Sequence, residues 1–306
     1  MLTVIGEALV DEVLSDTAPK RFHPGGSPLN VAVGVARLGR PVQFVGRYGT
    51  DAYGQLIGEH LRANSVLTPL PPDDLPTSVA TAVLDPAGGA RYTFDLQWEL
   101  PSLADALPPL LDGTTMLHTG SIAAMLRPGA DAVLQAVERA RPSATITYDP
   151  NCRPSIITDV SYAREQAEKF VALADVVKAS DEDLAWLYPE EDPRDAARRW
   201  LAMGPALVAV TGGSKGAWAV AGSGEAEASV PPVTVVDTVG AGDSFMSALL
   251  VSLMDRELDG GARRPELARI GAGDLSAVLD FAVRAAAVTV SRAGANPPAR
   301  EDLSNP

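Results

Sequence analysis

The stretch "VVDTVGAGDSFMSALL", residues 235–250, joins two apolar runs through a corner that contains two glycines and an aspartate. The β-branched residues before the corner predict a strand, and the apolar residues after it predict a helix. The backbone N–H groups of Gly240, Ala241 and Gly242 then lie at a helix N-terminus, where no large side chain keeps an anion away. The sequence therefore predicts a strand–turn–helix corner that holds negative charge.

Asp243 adds a carboxylate to this anion-binding corner. One interpretation is a general base, which takes a proton from a hydroxyl group that attacks the bound anion. The other interpretation is a helix cap, the usual role of aspartate at such a position. A dinucleotide-binding fingerprint is excluded, because it needs a small residue where Phe245 stands and has no place for a carboxylate beside the pyrophosphate.

Three other motifs do not lead to a function. "GAGD" also occurs at residues 271–274, but it follows a charged, proline-broken segment there, which makes Asp274 an ordinary residue of a helix N-terminus. "GGSKG" at residues 212–216 matches the nucleophile-elbow pattern, yet the residues after it predict a strand and no histidine follows it. A Walker-type phosphate loop is absent from the sequence.

The composition is that of a large folded chain with an acidic surface. Its 306 residues are 46% hydrophobic, and the formal net charge is −14. Nucleic acids and anionic membranes bind basic patches, and none is visible, so neither partner is expected. The lone cysteine, Cys152, and the lack of a basic leader or a long apolar run favour a cytoplasmic protein. The three histidines have no metal-ligand spacing.

Strand-like runs alternate with segments of helical period along most of the chain, which predicts an α/β fold with a mostly parallel sheet. Residues 77–98 break this rhythm, because they alternate with period two around "DPAGG" and predict a β-hairpin. A short polar segment after the first strand, which Asp11 closes, can add another strand. We expect a body with a small β lid, whose segments are inserted at about residues 12–24 and 69–100.

A second long motif, "GGSPLNVAVGVARLGRPVQFVGRYG" at residues 25–49, precedes the glycine corner by a large part of the chain. Together with residues 237–250 it resembles the two signatures of the PfkB-type carbohydrate kinases. The N-terminal signature is matched at Gly25, Gly26, Asn30, Ala32, Gly39 and Gly49. The resemblance covers the whole chain and, through "GEALVD" and "GGSPLNVA", points to the fructokinase-like branch. It implies a ribokinase-like three-layer sandwich, with residues 1–306 in one domain.

The resemblance also implies a role for individual positions. Asp243 takes the place of the catalytic base, beside an anion hole at Gly240, Ala241 and Gly242. Substrate contacts are implied at Asp11, Gly26, Asn30 and Arg153. A carboxylate such as Asp11 suits a vicinal diol because it accepts two hydrogen bonds at once. For Arg153, in "YDPNCRPS", the alternative to a substrate contact is a structural role as a salt-bridging arginine of its loop. Nucleotide contacts are implied at Thr211, Gly213, Gly216 and Ser180.

Two departures from the family pattern concern metal ions. The family's Asn-x-x-Glu element, which organises Mg²⁺ through waters, reads Ser180 to Asp183 here, so that Asp183 supplies a shorter carboxylate. A monovalent cation, K⁺ in particular, is implied near the carbonyl groups of Asp237, Val239 and Gly294. Pro298 stands where the family often has a serine oxygen in that segment.

The resemblance implies transfer of the γ-phosphoryl group of ATP to a primary hydroxyl group of a sugar, with fructose first and Mg²⁺ bridging the phosphates. Alternative substrates are 2-keto-3-deoxygluconate, ribose and nucleosides. An acidic sugar needs a dedicated arginine, and the lid hairpin at residues 77–98 offers only Arg91 besides Arg153, which favours a neutral sugar. A catalytically silent sugar- or nucleotide-binding relative is the alternative from another class. The family also favours a homodimer formed through the lid.

Overall fold

The computed structural model describes residues 1–15, 19–84, 90–100 and 103–303. The strands are β1 (Leu2–Ile5), β2 (Leu9–Ser15), β3 (Arg21–Gly25), β4 (Val42–Val45), β5 (Ser78–Leu84), β6 (Ala90–Asp95), β7 (Met116–Gly120), β8 (Thr145–Asp149), β9 (Val176–Ser180), β10 (Leu207–Thr211), β11 (Ala217–Ala221) and β12 (Gly224–Ala228). The turn "DPAGG" at residues 85–89 and the side chain of Arg91 lie outside the described part.

The α-helices are α1 (Ser27–Arg37), α2 (Ala52–Ala63), α3 (Leu103–Leu111), α4 (Ser121–Met125), α5 (Gly129–Ala140), α6 (Val160–Leu173), α7 (Asp181–Leu187), α8 (Pro193–Ala202), α9 (Ala241–Asp255), α10 (Arg264–Leu267) and α11 (Ala272–Val290). Within the described ranges, none of them combines the length and the apolar character needed to cross a bilayer.

Eight strands form the main sheet, in the order β12-β11-β10-β9-β8-β7-β1-β4. All neighbours from β4 to β10 are parallel, and β11 and β12 extend the sheet as antiparallel strands. A parallel sheet is stable only when both faces are covered, and helices cover both here. One core packs against α1, α9 and α11, and a second core packs against α5, α6 and α8 on the other face. The predicted three-layer α/β fold is confirmed.

Four further strands form a separate small sheet in the order β3-β2-β5-β6. Its inner face contacts the body, because Leu9 and Ala80 pack against Ile122 of α4. The outer face carries two large exposed side chains, Phe22 and Val83, which are 39% and 45% exposed. The small sheet thus packs one face against α4, and its other face leaves Val83 and Phe22 partly exposed, with the Phe22 ring centroid 5.6 Å from that of Tyr53 in α2.

Two predicted strands differ from the observed ones. The stretch "LTVIGEALV" is not a single strand that Asp11 closes, since it divides into β1 and β2, which belong to different sheets. Gly6 lies at the break, where the ring of Pro28 passes so close that a Cβ atom would lie 2.2 Å from it. Asp11 therefore lies within β2 of the small sheet, and not at an edge of the main sheet.

The valine-rich run before the glycine corner, residues 233–239, forms no strand. Its backbone crosses the end of α11, where the N–H groups of Val236 and Asp237 both donate to the carbonyl oxygen of Val290, at 2.7 and 3.2 Å. Val235 and Val236 are 60% and 62% exposed. β-Branched composition predicted a strand, but this segment pairs with a helix end instead of a sheet edge.

The crossing of α1 and α9 depends on Gly34 and generates a stability prediction. A Cβ atom at Gly34 would lie 2.4 Å from Ser247 Oγ and 2.7 Å from Ser247 Cβ, so the two helices meet with no room for a methyl group. We expect Gly34→Ala to lower the free energy of unfolding by about 1–3 kcal/mol through overpacking. Urea denaturation followed by circular dichroism measures the change.

Gly58→Ala is the matched control, because Gly58 lies in the middle of α2 and a Cβ atom there would contact the Tyr48 ring at an ordinary 3.7 Å. This substitution should stabilise the protein by about 0.4–1 kcal/mol, since it reduces the freedom of the unfolded chain. Equal effects of the two substitutions would contradict the close helix contact.

Candidate active site

The carboxylate of Asp243 lies where the first turns of α1 and α9 meet. Ser27 Oγ donates a hydrogen bond of 2.7 Å to Asp243 Oδ1, and Asn30 Nδ2 donates one of 2.8 Å to Asp243 Oδ2. The N-cap of α9 is Gly240, and it forms no side-chain cap bond. The Asp243 side chain therefore bonds to α1 instead of capping its own helix, and both of its oxygen atoms have a fixed orientation.

The glycine corner beside Asp243 is left-handed and crowded. Gly240 has φ +75°, and a Cβ atom there would lie 2.7 Å from the Ala295 side chain, so glycine is required twice over. The first-turn N–H groups of a helix have no intrahelical acceptor and attract anions. The Ala241 N–H is partly occupied, because it donates to Thr238 O at 3.3 Å. Gly240 and Gly242 are thus better placed than Ala241 to bind an anion.

Asp11 and Gly26 lie on the small-sheet side of this corner. Asp11 is in register with His23 of β3 and Ala80 of β5. Burial raises the pKa of the Asp11 carboxyl to about 6, although the charges of His23 and Arg153 oppose the rise and that of Asp243 adds to it. Gly26 has φ +108°, and a Cβ atom there would lie 2.5 Å from the carbonyl oxygen of Glu7. Asp11, Arg153 and Asp243 are therefore electrostatic neighbours in one site.

Arg153 follows β8 and has no carboxylate within ion-pair distance in the described part of the chain. Its Nη1 atom donates to the carbonyl oxygens of Asn151 and Cys152, at 2.9 and 3.0 Å, and to Asn151 Oδ1 at 2.6 Å. The salt-bridge alternative therefore finds no support among the described residues. Loop carbonyls hold the guanidinium group, and its charge acts on the carboxyl groups of Asp11 and Glu7.

Glu7 is a buried acid that the sequence reasoning missed. Its Oε2 atom accepts a hydrogen bond of 3.0 Å from the Ala123 N–H group, at the start of α4. Burial raises the pKa of Glu7 to about 7, against the opposing effect of backbone and side-chain hydrogen bonds and of Arg153. The available signal was an acidic residue within the apolar stretch "LTVIGEALV", where a charged side chain is rare unless it is bonded.

A cleft of about 660 Å³ begins at the glycine corner, with Ala241 and Gly242 among its lining residues. The lining includes all four residues implied in nucleotide binding, Thr211, Gly213, Gly216 and Ser180. The apolar part of the lining is formed by Val230, Val233, Val235, Val283, Ala286 and Val290. An apolar slot that ends at a helix N-terminus suits a molecule with an aromatic base at one end and phosphates at the other.

The Ser180–Asp183 pair forms a complete capping box at the start of α7. Ser180 Oγ accepts from the Asp183 N–H at 2.9 Å and donates to Asp183 Oδ2 at 2.7 Å. Asp183 Oδ1 also accepts from the Cys152 N–H at 2.7 Å. Among the described residues, no group of three His, Cys, Asp or Glu side chains is arranged to hold a metal ion directly. Both carboxylate oxygens of Asp183 already accept hydrogen bonds within the fold, which suits contact with a Mg²⁺ ion through a water, the mode that Mg²⁺ commonly keeps.

Asp237 connects the two segments implied in monovalent cation binding. Its carboxylate accepts from the Val239 N–H at 3.0 Å and from the Gly294 N–H at 2.9 Å. The Gly294 carbonyl accepts from the Asn296 N–H at 2.8 Å, which leaves it one free lone pair. The Asp237 side chain thus holds the backbone at Val239 and the backbone at Gly294 in fixed positions.

Lys178 and Asp149 are two further residues that the sequence reasoning missed. Lys178 Nζ donates to Asp149 Oδ2 at 2.9 Å, and both side chains are at least 96% buried, since their exposed fractions are 4% and 1%. Lys178 lines the cleft together with Gly242. A lysine inside the apolar strand "DVVKAS" was the available signal, because a buried lysine needs a partner.

Comparison with known proteins supports the kinase interpretation of this geometry. The model of the pfkB family of carbohydrate kinases matches residues 2–302. Fructokinase of Rhizobium leguminosarum bv. trifolii is 35% identical over 261 residues, which are 83% of this chain and 79% of that protein.

Solved structures agree with the family match. Fructokinase from Xylella fastidiosa with bound ATP is 26% identical and has a TM-score of 0.88, over 99% of this chain and 97% of that chain. Fructokinase from Vibrio cholerae O395, in a form with fructose, ADP and calcium ion bound, is 25% identical with a TM-score of 0.77, over 96% and 94% of the two chains. The predicted ribokinase-like fold is confirmed. The chain belongs to the pfkB family of carbohydrate kinases.

Proposed function

We propose that this protein transfers the γ-phosphoryl group of ATP to a primary hydroxyl group of fructose. The observation that carries the proposal is the Asp243 carboxylate, which Ser27 and Asn30 hold beside a helix N-terminus that opens into a nucleotide-sized cleft. The fructokinase relatives support fructose as the acceptor.

On the sugar side, Asp11 accepts hydrogen bonds from two neighbouring hydroxyl groups of the sugar. Gly26 lets the sugar ring approach the backbone. The positive charge of Arg153 acts on the Asp11 carboxylate and favours its ionised form. Asn30 already donates to Asp243, so its amide oxygen remains for a sugar hydroxyl group. These contacts place one hydroxyl group against Asp243.

In the transfer step, Asp243 accepts the proton of that hydroxyl group. The hydroxyl oxygen attacks the γ-phosphorus, and ADP leaves. The N–H groups of Gly240 and Gly242, at the positive end of α9, bind the phosphoryl oxygens. Phosphoryl transfer asks a protein mainly for position and charge stabilisation. The two hydrogen bonds to Asp243 fix the position of its carboxylate, and the rigid glycine corner fixes the position of the N–H groups.

The nucleotide occupies the cleft. Its base lies along the apolar lining residues, and its phosphates lie against the loop that contains Thr211, Gly213 and Gly216. When bound, Mg²⁺ would neutralise part of the phosphate charge, and Asp183 would hold the ion through a water. We also assign K⁺ to the carbonyl groups of Asp237, Val239 and Gly294.

The small sheet is proposed to act as a lid that excludes water from the transfer, and as the dimer contact. Its outer face exposes Phe22 and Val83, and an exposed apolar sheet face is a common site of association.

A coupled assay tests the proposed function. The purified protein, ATP and Mg²⁺ are mixed with fructose, ribose, 2-keto-3-deoxygluconate and a nucleoside in turn, and ADP release is followed. We expect the largest kcat/KM for fructose, with a sugar monophosphate detected by mass spectrometry. ADP release without a phosphorylated sugar would contradict the proposal.

Asp243→Asn tests the base. The amide keeps the shape of the side chain but does not accept the proton, so kcat should fall by about 10²-fold or more while the protein stays folded. Asp274→Asn is the matched control, because Asp274 occupies the same position in the second "GAGD" and, among the described residues, forms its ion pair with Arg256 at 3.2 Å, with its own side chain 62% exposed. Near-normal kcat in Asp243→Asn would show that this carboxylate is structural.

Asp11→Ala tests the sugar site. Loss of two hydrogen bonds to a charged group should weaken sugar binding by about 3 kcal/mol or more, and ATP affinity measured by calorimetry should not change. Because the pKa of Asp11 is about 6, the wild-type carboxyl becomes protonated at lower pH. The difference in sugar KM between wild type and variant should therefore narrow as the pH falls below 6. A parallel loss of ATP binding would show that Asp11 is structural.

Val83→Glu tests the dimer. A charge on the outer face of the small sheet should shift a dimer toward monomers in sedimentation equilibrium. Leu67→Glu is the control, since Leu67 is 57% exposed beside β4 of the main sheet. Thr81 is less suitable, because its hydroxyl donates to Glu12 at 3.0 Å and a new acid there would repel that neighbour. A monomeric wild-type protein with full activity would contradict dimerisation through the lid.

A further inference from the structure

Lys178 places an ammonium group next to the glycine corner, inside the nucleotide cleft. It lies on β9 and is 3% exposed, yet it is among the residues that line the cleft. A Cβ atom added to Gly242 would lie 3.1 Å from Lys178 Nζ. The ammonium group therefore lies beside Gly242, close enough that a methyl group on this glycine would crowd it.

The hydrogen-bond capacity of this ammonium group is not used up. A lysine has three N–H donors and no acceptor. Among the described residues, Asp149 Oδ2 is the one partner of Lys178 Nζ, at 2.9 Å. Two donors remain, in a position that lines the cleft. A buried donor without a partner is costly, so a ligand with acceptor oxygens is the natural complement.

The acidic side chains around Lys178 repel a polyphosphate, and the positive charge of Lys178 offsets part of this repulsion. Burial lowers the pKa of Lys178, but the nearby carboxylates of Asp149, Asp183 and Asp243 outweigh that effect and raise it. The ammonium group thus stays charged at neutral pH. Of the described residues that line the cleft, Lys178 is the one with a positive charge, whereas Asp181, Glu182 and Asp183 are acidic.

We propose that Lys178 is a catalytic residue that donates hydrogen bonds to the oxygens of the transferring phosphoryl group, with Asp149 as the positioning residue that holds its ammonium group. This inference rests on the proposed function. The bond from the β,γ-bridging oxygen to the γ-phosphorus breaks, and its electron pair stays on ADP. The bond from the sugar oxygen to that phosphorus forms, and the hydroxyl proton goes to Asp243. Lys178 keeps its proton throughout and stabilises negative charge on the oxygens in transfer.

A purely structural ion pair is the competing explanation, and a double variant separates the two. Lys178→Met alone leaves the buried Asp149 carboxylate without its counter-charge, which is destabilising even though its Oδ1 atom still accepts from the Asn151 N–H at 3.2 Å. The Lys178→Met, Asp149→Asn double variant has neither buried charge and keeps similar side-chain volumes, so it should fold. Asp149→Asn alone keeps the ammonium group but loosens its position. Arg264→Met is the control for loss of a partly buried ion pair outside the cleft, since Arg264 binds Asp175 at 2.6 Å and neither residue lines the cleft.

Three measurements are made on each folded variant: kcat with fructose, affinity for ADP, and affinity for ADP with aluminium fluoride in the presence of fructose. The double variant should lose about 10²-fold or more in kcat, the usual effect of removing one oxyanion donor. Its affinity for ADP with aluminium fluoride should fall, while ADP affinity stays at the wild-type value. Asp149→Asn should lose less, and Arg264→Met should change none of the three.

A double variant that matches Asp149→Asn in kcat and binds ADP with aluminium fluoride as wild type would overturn the proposal. Failure of the proposed function is recognised separately. If wild type phosphorylates no sugar, calorimetry with ATP and ADP still tests the contact, because a lysine that binds the γ-phosphoryl group makes wild type prefer ATP over ADP more strongly than the double variant does. An unchanged preference would then overturn the Lys178 contact as well.

Discussion

The structure depends on one contact, the pair of hydrogen bonds from Ser27 and Asn30 of α1 to the Asp243 carboxylate of α9. These bonds exist only because the two helices start at glycine corners and cross closely enough for Gly34 to touch Ser247. The helices are distant in sequence, so the folded core, and no local motif, fixes the position of the carboxylate. The proposed role of Asp243 as a base requires such rigidity, because a base has to meet the hydroxyl group within hydrogen-bond distance.

Parallel topology explains how so many polar groups reach one edge of the main sheet. The strands β8, β9 and β10 end at Asp149, Ser180 and Thr211, and in a parallel sheet the carboxyl ends lie at the same edge. The cleft forms at this edge, because Asn151, Ser180 and Thr211 at the ends of these strands are among its lining residues. The small sheet then closes the space beyond β1, where Glu7 and Asp11 meet the glycine pair at the start of α1. Buried strands supply the rigid frame, and their ends supply the chemistry.

The sequence predicted the parts of the site that local rules control. Glycines followed by a carboxylate at a helix start are a local pattern, and the structure has that helix start at Gly240. Strand pairing is not local, so the valine run at residues 233–239 and the undivided first strand were predicted wrongly. Ser27, Glu7 and Lys178 were missed for a related reason. Their importance comes from partners that are far away in sequence, namely Asp243, Ala123 and Asp149.

An acidic chain that binds a polyanion has to concentrate its positive potential. With a net charge of −14, the protein repels ATP at long range. Surface charges are in any case screened beyond about 10 Å. Fixed donors at short range are what remain, and in a buried corner they act with little screening. The N-terminus of α9 and the Lys178 ammonium group both lie beside Gly242, so two short-range sources of positive charge are concentrated at the corner of the proposed transfer. The acidic surface then does not weaken binding at this corner, because the interaction is decided by groups in contact rather than by the charge of the whole protein.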